Sequence, residues 1–110
     1  MTDLKDMQEI QDLMSSDGFH LFYLSRPACG VCTAVKEKVL VLLEDFPHID
    51  SYYVNLDLVP EAAGQFSIFT IPAILLYVNG SEYVREARYL SITDLEHQIR
   101  RPYELAFNPS

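Results

Sequence analysis

This chain has no apolar stretch that could cross a bilayer as a helix, few basic side chains and no tryptophan. Its longest apolar run, Ile71 to Val78, falls far short of the roughly 20 residues a spanning helix needs. Eight Lys and Arg stand against 16 Asp and Glu, a formal net charge of −8. That balance argues against a nucleic-acid backbone or an anionic membrane as partner. The opening residues, Met1-Thr2-Asp3-Leu4-Lys5-Asp6, show no basic region followed by an apolar run. No signal peptide is therefore expected, and the expected compartment is the cytosol. Repeats, low-complexity tracts and internal linkers are lacking too. With 110 residues, 49% apolar and 22% charged, the chain reads as one globular domain, 1–110, with one core.

Cysteine is equally scarce. The two that occur, Cys29 and Cys32, stand three residues apart in Arg26-Pro27-Ala28-Cys29-Gly30-Val31-Cys32. In a reducing compartment such a pair is more often catalytic or metal-binding than a structural staple. A strand-like run, Phe19 to Leu24, precedes it and a helix-like run, Thr33 to Leu43, follows. Cysteines at i and i+3 at a helix start share one face and can close a small disulfide with little backbone movement. The first would sit among unpaired backbone N–H groups, where negative charge is favoured. A dithiol placed in this way after a strand reads as a redox site. Zinc is the competing reading, but a structural site needs four ligands. His20, His48 and His97 are scattered: His20 reads as a hydrogen-bonded core residue and His97 as a surface residue. No metal is expected.

Other signals set the order of elements. Asp6 caps a helix striped by Met7, Ile10, Leu13 and Met14, with Glu9 three residues after the cap and Asp17-Gly18 ending it. Residues 2–5 offer a short edge strand. Phe19 to Ser25 reads as a strand buried on both faces. The cysteine helix carries Val35, Val39, Leu40 and Leu43 as its apolar stripe, and Ile49 to Leu56 forms a second strand. Pro60 to Phe66 reads as a short helix opened by proline. Ile71 to Val78 is a third strand, and Asn79-Gly80 turns it into an antiparallel return over Glu82 to Ala87. Ser91 caps a last helix bearing Ile92, Leu95 and Ile99. Pro102 is expected to stop that helix, leaving Arg100-Arg101 near its C-terminus and the tail irregular. The tyrosines at 52, 53, 77, 83 and 89 are expected to pack. The fold class is α/β, a mixed four- or five-stranded sheet with helices on both faces.

Three features together resemble the thioredoxin family over nearly the whole chain: Cys29-Gly30-Val31-Cys32 at a strand-to-helix junction, Ile71-Pro72 opening an apolar strand, and the Asn79-Gly80 hairpin. The resemblance implies a thioredoxin-like fold and a cis Ile71–Pro72 bond facing the dithiol, a proline feature. It also implies a client segment paired to the backbone at Ile71, with Pro72 shaping the groove and Ala28, Gly30 and Val31 beside it. The chain departs from the family's pattern at Ala28, where a Trp is usual, and at Val31, where Pro is usual. It departs again at Tyr23, which replaces a buried carboxylate, and at Tyr53, which replaces a lysine. Losing both members of a buried pair can be neutral where losing one costs ~3–5 kcal/mol. Tyr23 and Tyr53 are therefore expected to fill the space under Cys32, with the Tyr23 hydroxyl as a weak proton relay. Arg88 aligns with a small groove residue and is read either as a selector of acidic clients or as a solvated loop arginine.

The implied function is a thiol–disulfide oxidoreductase of cell redox homeostasis. Cys29 is the nucleophile, helped by the helix N-terminus and Arg26. Lowering a thiol pKa from ~8.5 to ~7 raises its thiolate share roughly tenfold. Cys32 then resolves the mixed disulfide. The implied clients are protein or low-molecular-weight disulfides, with a separate donor such as a thioredoxin reductase-like enzyme and no organic cofactor. The alternative is a peptide-binding module whose CxxC is slow or vestigial.

Overall fold

A computed structural model describes residues 1–87 and 91–107. Its elements run β1 (Thr2–Leu4), α1 (Met7–Met14), β2 (Phe19–Ser25), α2 (Gly30–Leu43), β3 (Ile49–Asn55), α3 (Glu61–Phe66), β4 (Ala73–Val78), β5 (Ser81–Ala87) and α4 (Ile92–Phe107). The five strands form one sheet in the order β1-β3-β2-β4-β5. β1, β3 and β2 are parallel, and β4 and β5 run antiparallel to their neighbours.

Strand β2 lies in the middle, and all seven of its residues are buried, which explains an apolar run without polar alternation. Its odd residues, Phe19, Leu21 and Tyr23, pack with Val39, Leu42, Leu95 and Ile99 of α2 and α4. Its even residues, Phe22 and Leu24, pack with Ile10, Ala62 and Phe66 of α1 and α3. The strand's period of two thus divides the core into two layers. Helix α1 starts where the Asp6 carboxylate accepts from the Glu9 amide at 2.9 Å, while the Glu9 carboxylate reaches back to the Lys5 amide at 2.8 Å. At the β4–β5 hairpin, Asn79 and Gly80 both have positive φ, 50° and 86°, as a tight two-residue turn of this hand requires. The Asn79 side chain accepts from the Gly18 amide at 2.8 Å, tying this hairpin to the turn before β2.

Several expectations are corrected. Helix α4 runs through Pro102 to Phe107. A proline inside a helix costs about 3 kcal/mol, but Tyr103 is buried against Phe46 and Phe19, and Phe107 packs on Phe19. Burying the Tyr103 ring, with the partly exposed Phe107 packed beside it, offsets that cost. Arg100 is accordingly mid-helix, paired with Glu96 and Glu104, so the expected helix-end role is replaced by i,i+4 ion pairs. On α2 the buried residues include Val39 and Leu42, whereas Leu40 is 38% exposed. Strand β4 begins at Ala73, after Ile71 and Pro72, and β3 ends at Asn55. Tyr83 is 60% exposed on edge strand β5, at the register shift where Val84 pairs with Leu76 and Glu82 with Tyr77. Arg88 and Tyr89 lie outside the described residues.

Candidate active site

The parallel strands β1, β3 and β2 end, and β4 begins, at one end of the sheet. After Ser25 the chain turns, the Arg26 carbonyl accepting from the Cys29 amide at 3.1 Å. Cys29 is the N-cap of α2: its backbone is extended, and its Sγ accepts from the Cys32 amide at 3.2 Å. The sulfur therefore occupies the place a capping oxygen would take, next to the positive end of the helix. Cys29 and Cys32 are disulfide-bonded, with their Cα atoms 5.2 Å apart. Cys29 is half-buried, while Cys32 is 1% exposed. Ala28, Gly30 and Val31 form the exposed lip, Val31 being 65% exposed. A Cβ at Gly30 would meet nothing within 4 Å.

Ala73 pairs with Leu24 near the end of β2, which brings Ile71–Pro72 to the dithiol end. That peptide bond is cis, Pro72 is buried and Ile71 partly so. Arg26 and Asp57, from the loops after β2 and β3, form an ion pair at 3.1 Å. Both side chains are about half exposed, so the pair is worth ~0–1 kcal/mol, and Asp57 offsets the charge that Arg26 was expected to lend to Cys29.

Beneath the pair, Tyr23 points from the α2 side of β2 and its hydroxyl donates to the Cys32 carbonyl. Tyr23 is fully buried. Burial first, then neighbouring Tyr53, push its pKa up to about 12, with the Lys36 backbone N–H acting the other way. It is therefore a neutral donor whose proton faces a carbonyl oxygen, where the sequence suggested a relay to the thiol. The Tyr53 ring stacks on it with centroids 6.4 Å apart. Ser25 donates to the Tyr53 hydroxyl at 3.1 Å, and the Lys36 ammonium lies 4.4 Å from the Tyr53 ring centroid.

The other singled-out residues stand apart. His20 is buried between Tyr52, Ser16 and the Asp17 carbonyl, His48 stacks on Phe107, and His97 is exposed. Among the described residues no group of three His, Cys, Asp or Glu side chains is placed to hold a metal ion, and no helix is long and apolar enough to cross a membrane. A groove of about 700 Å³ between α2 and α4, lined by Glu37, Val41, Leu42 and Ile92 among others, contains neither cysteine. Sequence reasoning missed Asp57, Lys36 and Phe69. Phe69, 94% exposed and two residues before Ile71, carried a visible signal: an aromatic residue in a loop outside any strand pattern.

The family model described as Thioredoxin matches residues 4–101. The chain is 40% identical to the thioredoxin-like protein YdfQ of Bacillus subtilis (strain 168) over 96% of its length and 94% of that protein. It is 28% identical to the thioredoxin-like protein YusE of the same organism, over 89% of this chain and 92% of the relative. Among solved structures, thioredoxin from Trypanosoma brucei brucei superposes with a TM-score of 0.83 at 16% identity, over 91% of this chain and 88% of that one. That likeness establishes the shared fold.

Proposed function

The chain belongs to the thioredoxin family, and we propose from that premise that it reduces disulfides of proteins or small molecules by a two-cysteine relay. Family membership together with the Cys29–Cys32 pair makes it a dithiol thiol–disulfide oxidoreductase. In the proposed reaction the Cys29 thiolate attacks a client sulfur, forming a mixed disulfide and expelling the other client sulfur as a thiolate. Cys32 then attacks Cys29, releasing the second client sulfur and leaving the protein's own pair oxidised. A separate donor, such as a thioredoxin reductase-like enzyme, returns two electrons. In the same reading Ile71 offers its backbone to an extended client segment, Pro72 shapes the groove, and Ala28, Gly30 and Val31 border it. The proposed compartment is the cytosol, where a reactive pair without further staples suits a reducing milieu.

One observation carries this reading: Cys29 is accessible at a helix N-terminus while Cys32 is buried one turn behind it. The accessible sulfur is the one favoured as thiolate, and the buried one can meet only a partner already attached to Cys29. The peptide-binding alternative gives no reason for that asymmetry. The test is trapping. Cys32→Ser should accumulate a stable mixed disulfide with insulin through Cys29, and Cys29→Ser should accumulate none. Equal trapping by both variants contradicts the assignment of roles.

A further inference from the structure

Cys32 must lose a proton before it can displace a client, yet its burial disfavours the thiolate. Among the described residues, the groups that can influence this step are few. β2 brings Tyr23, β3 brings Tyr53, α2 brings Lys36 and Cys29, and the rim carries Arg26 with Asp57. β4 contributes Ala73 and Ile74 beside Leu24 and Tyr23, and neither titrates. No carboxylate of the described residues is buried here, and a phenol does not take up a proton near neutral pH. Lys36 is the distinctive member. It lies four residues after Cys32, hence on the same side of the helix, and its ammonium sits over the face of Tyr53, which restrains it by cation–π attraction. Tyr53 stacks on Tyr23, and Tyr23 holds the Cys32 carbonyl. These contacts link a fixed cation to the backbone of the buried sulfur.

We propose that Lys36, held over Tyr53, is the positioning charge that favours the Cys32 thiolate, while Tyr23 fixes the Cys32 backbone, so that client release needs no buried proton acceptor. The step balances. Cys32 gives its proton to solvent, and its sulfur bonds to Cys29 as the Cys29–client bond breaks. The client sulfur leaves as a thiolate and takes a proton from water, the two cysteines having supplied two electrons. The client half of this statement rests on the proposed function; the effect of Lys36 on Cys32 does not.

The test therefore begins without turnover. In a Cys29→Ser background, ultraviolet thiolate absorbance against pH gives the Cys32 midpoint. Lys36→Met should raise it by ~0.5–1 pH unit, Lys36→Arg should restore it, and Tyr23→Phe should leave it in place. In the two-cysteine protein, release of thionitrobenzoate from its mixed disulfide with Cys29 should follow one ionisation. That release should slow ~3–10-fold in Lys36→Met at neutral pH, and several-fold at every pH in Tyr23→Phe. Thermal melts check that each variant folds, with Lys36→Gln replacing Lys36→Met if needed. An unmoved Cys32 midpoint in the Lys36 variants overturns the role of Lys36. A Tyr23→Phe midpoint shifted as far as that of Lys36→Met overturns the division of roles. Absence of insulin reduction with the Cys32 shifts intact would instead count against the proposed function alone.

Discussion

At the end of the sheet where Phe19, Ile49 and Val78 lie, aromatic rings pack at short range: Phe46 on Tyr103 at 4.9 Å and Tyr103 on Phe107 at 4.7 Å. At the opposite end Val31 and Phe69 face solvent, Cys29 is accessible and the Arg26–Asp57 ion pair is half exposed. Helix α2 runs from the open end to the packed one, starting at the Cys29 cap and leading to Phe46. The contrast shows a division of labour. Close aromatic packing is concentrated where nothing reacts, and the reactive end adds directed contacts from Tyr23, Ser25 and Arg26 to its buried Leu24, Val54 and Ala73. Changes at the packed end should alter stability without altering chemistry, and changes at the exposed residues of the open end should do the reverse.

The largest effect is expected at the open end. Cys29→Ser should reduce insulin-disulfide turnover to background while the reduced variant unfolds at nearly the same urea concentration as the reduced parent. At the packed end, Tyr103→Ala should cost about 3–5 kcal/mol in urea unfolding, the range for deleting a buried aromatic ring. The rate of insulin reduction per folded molecule should not change. A comparable loss of rate would erase the distinction between the two ends.

A pH experiment sharpens the comparison from beneath the dithiol. Tyr23 keeps its proton in the fold to about 12, whereas an unfolded phenol ionises near 10. Its stabilisation is therefore complete below about pH 10 and is lost as pH rises towards 12. That loss should amount to about 2–3 kcal/mol. Tyr52 and Tyr77, also raised by burial, add to the same alkaline loss. Tyr23→Phe should show a shallower fall between those pH values, and an identical fall would remove Tyr23 from the account. Smaller still, Pro102→Ala should stabilise by about 1–3 kcal/mol, since it returns a helical N–H and relieves the ring clash. Unchanged stability would mean the helix has already adapted to its proline.

Local signals were legible where local physics decides. The Asp6 cap, the fully buried β2, the Asn79-Gly80 turn, the edge strand near residues 2–5 and the start of α2 at the cysteines could all be read along the chain. The failures share a cause in distance. Pro102 reads as a stop until the rings of Phe19 and Phe46, more than fifty residues earlier, are seen to hold Tyr103. Leu40 and Leu42 differ by two places on one helix, and the position of the sheet decides which is covered. The site divides in the same way. Cys29 and Cys32 announce themselves by spacing, whereas Asp57 against Arg26 and Lys36 over Tyr53 are meetings between separate elements. Tyr23 was legible as a replacement but not as a donor to the Cys32 carbonyl, because the target of a hydroxyl depends on where the helix lies.

The asymmetry of the two sulfurs is most directly tested by alkylating the fully reduced protein with limiting iodoacetamide and mapping the modified peptide by mass spectrometry. The label is expected almost wholly on Cys29, with Cys32 protected until the chain is unfolded. Label shared equally between them, or found first on Cys32, would contradict it.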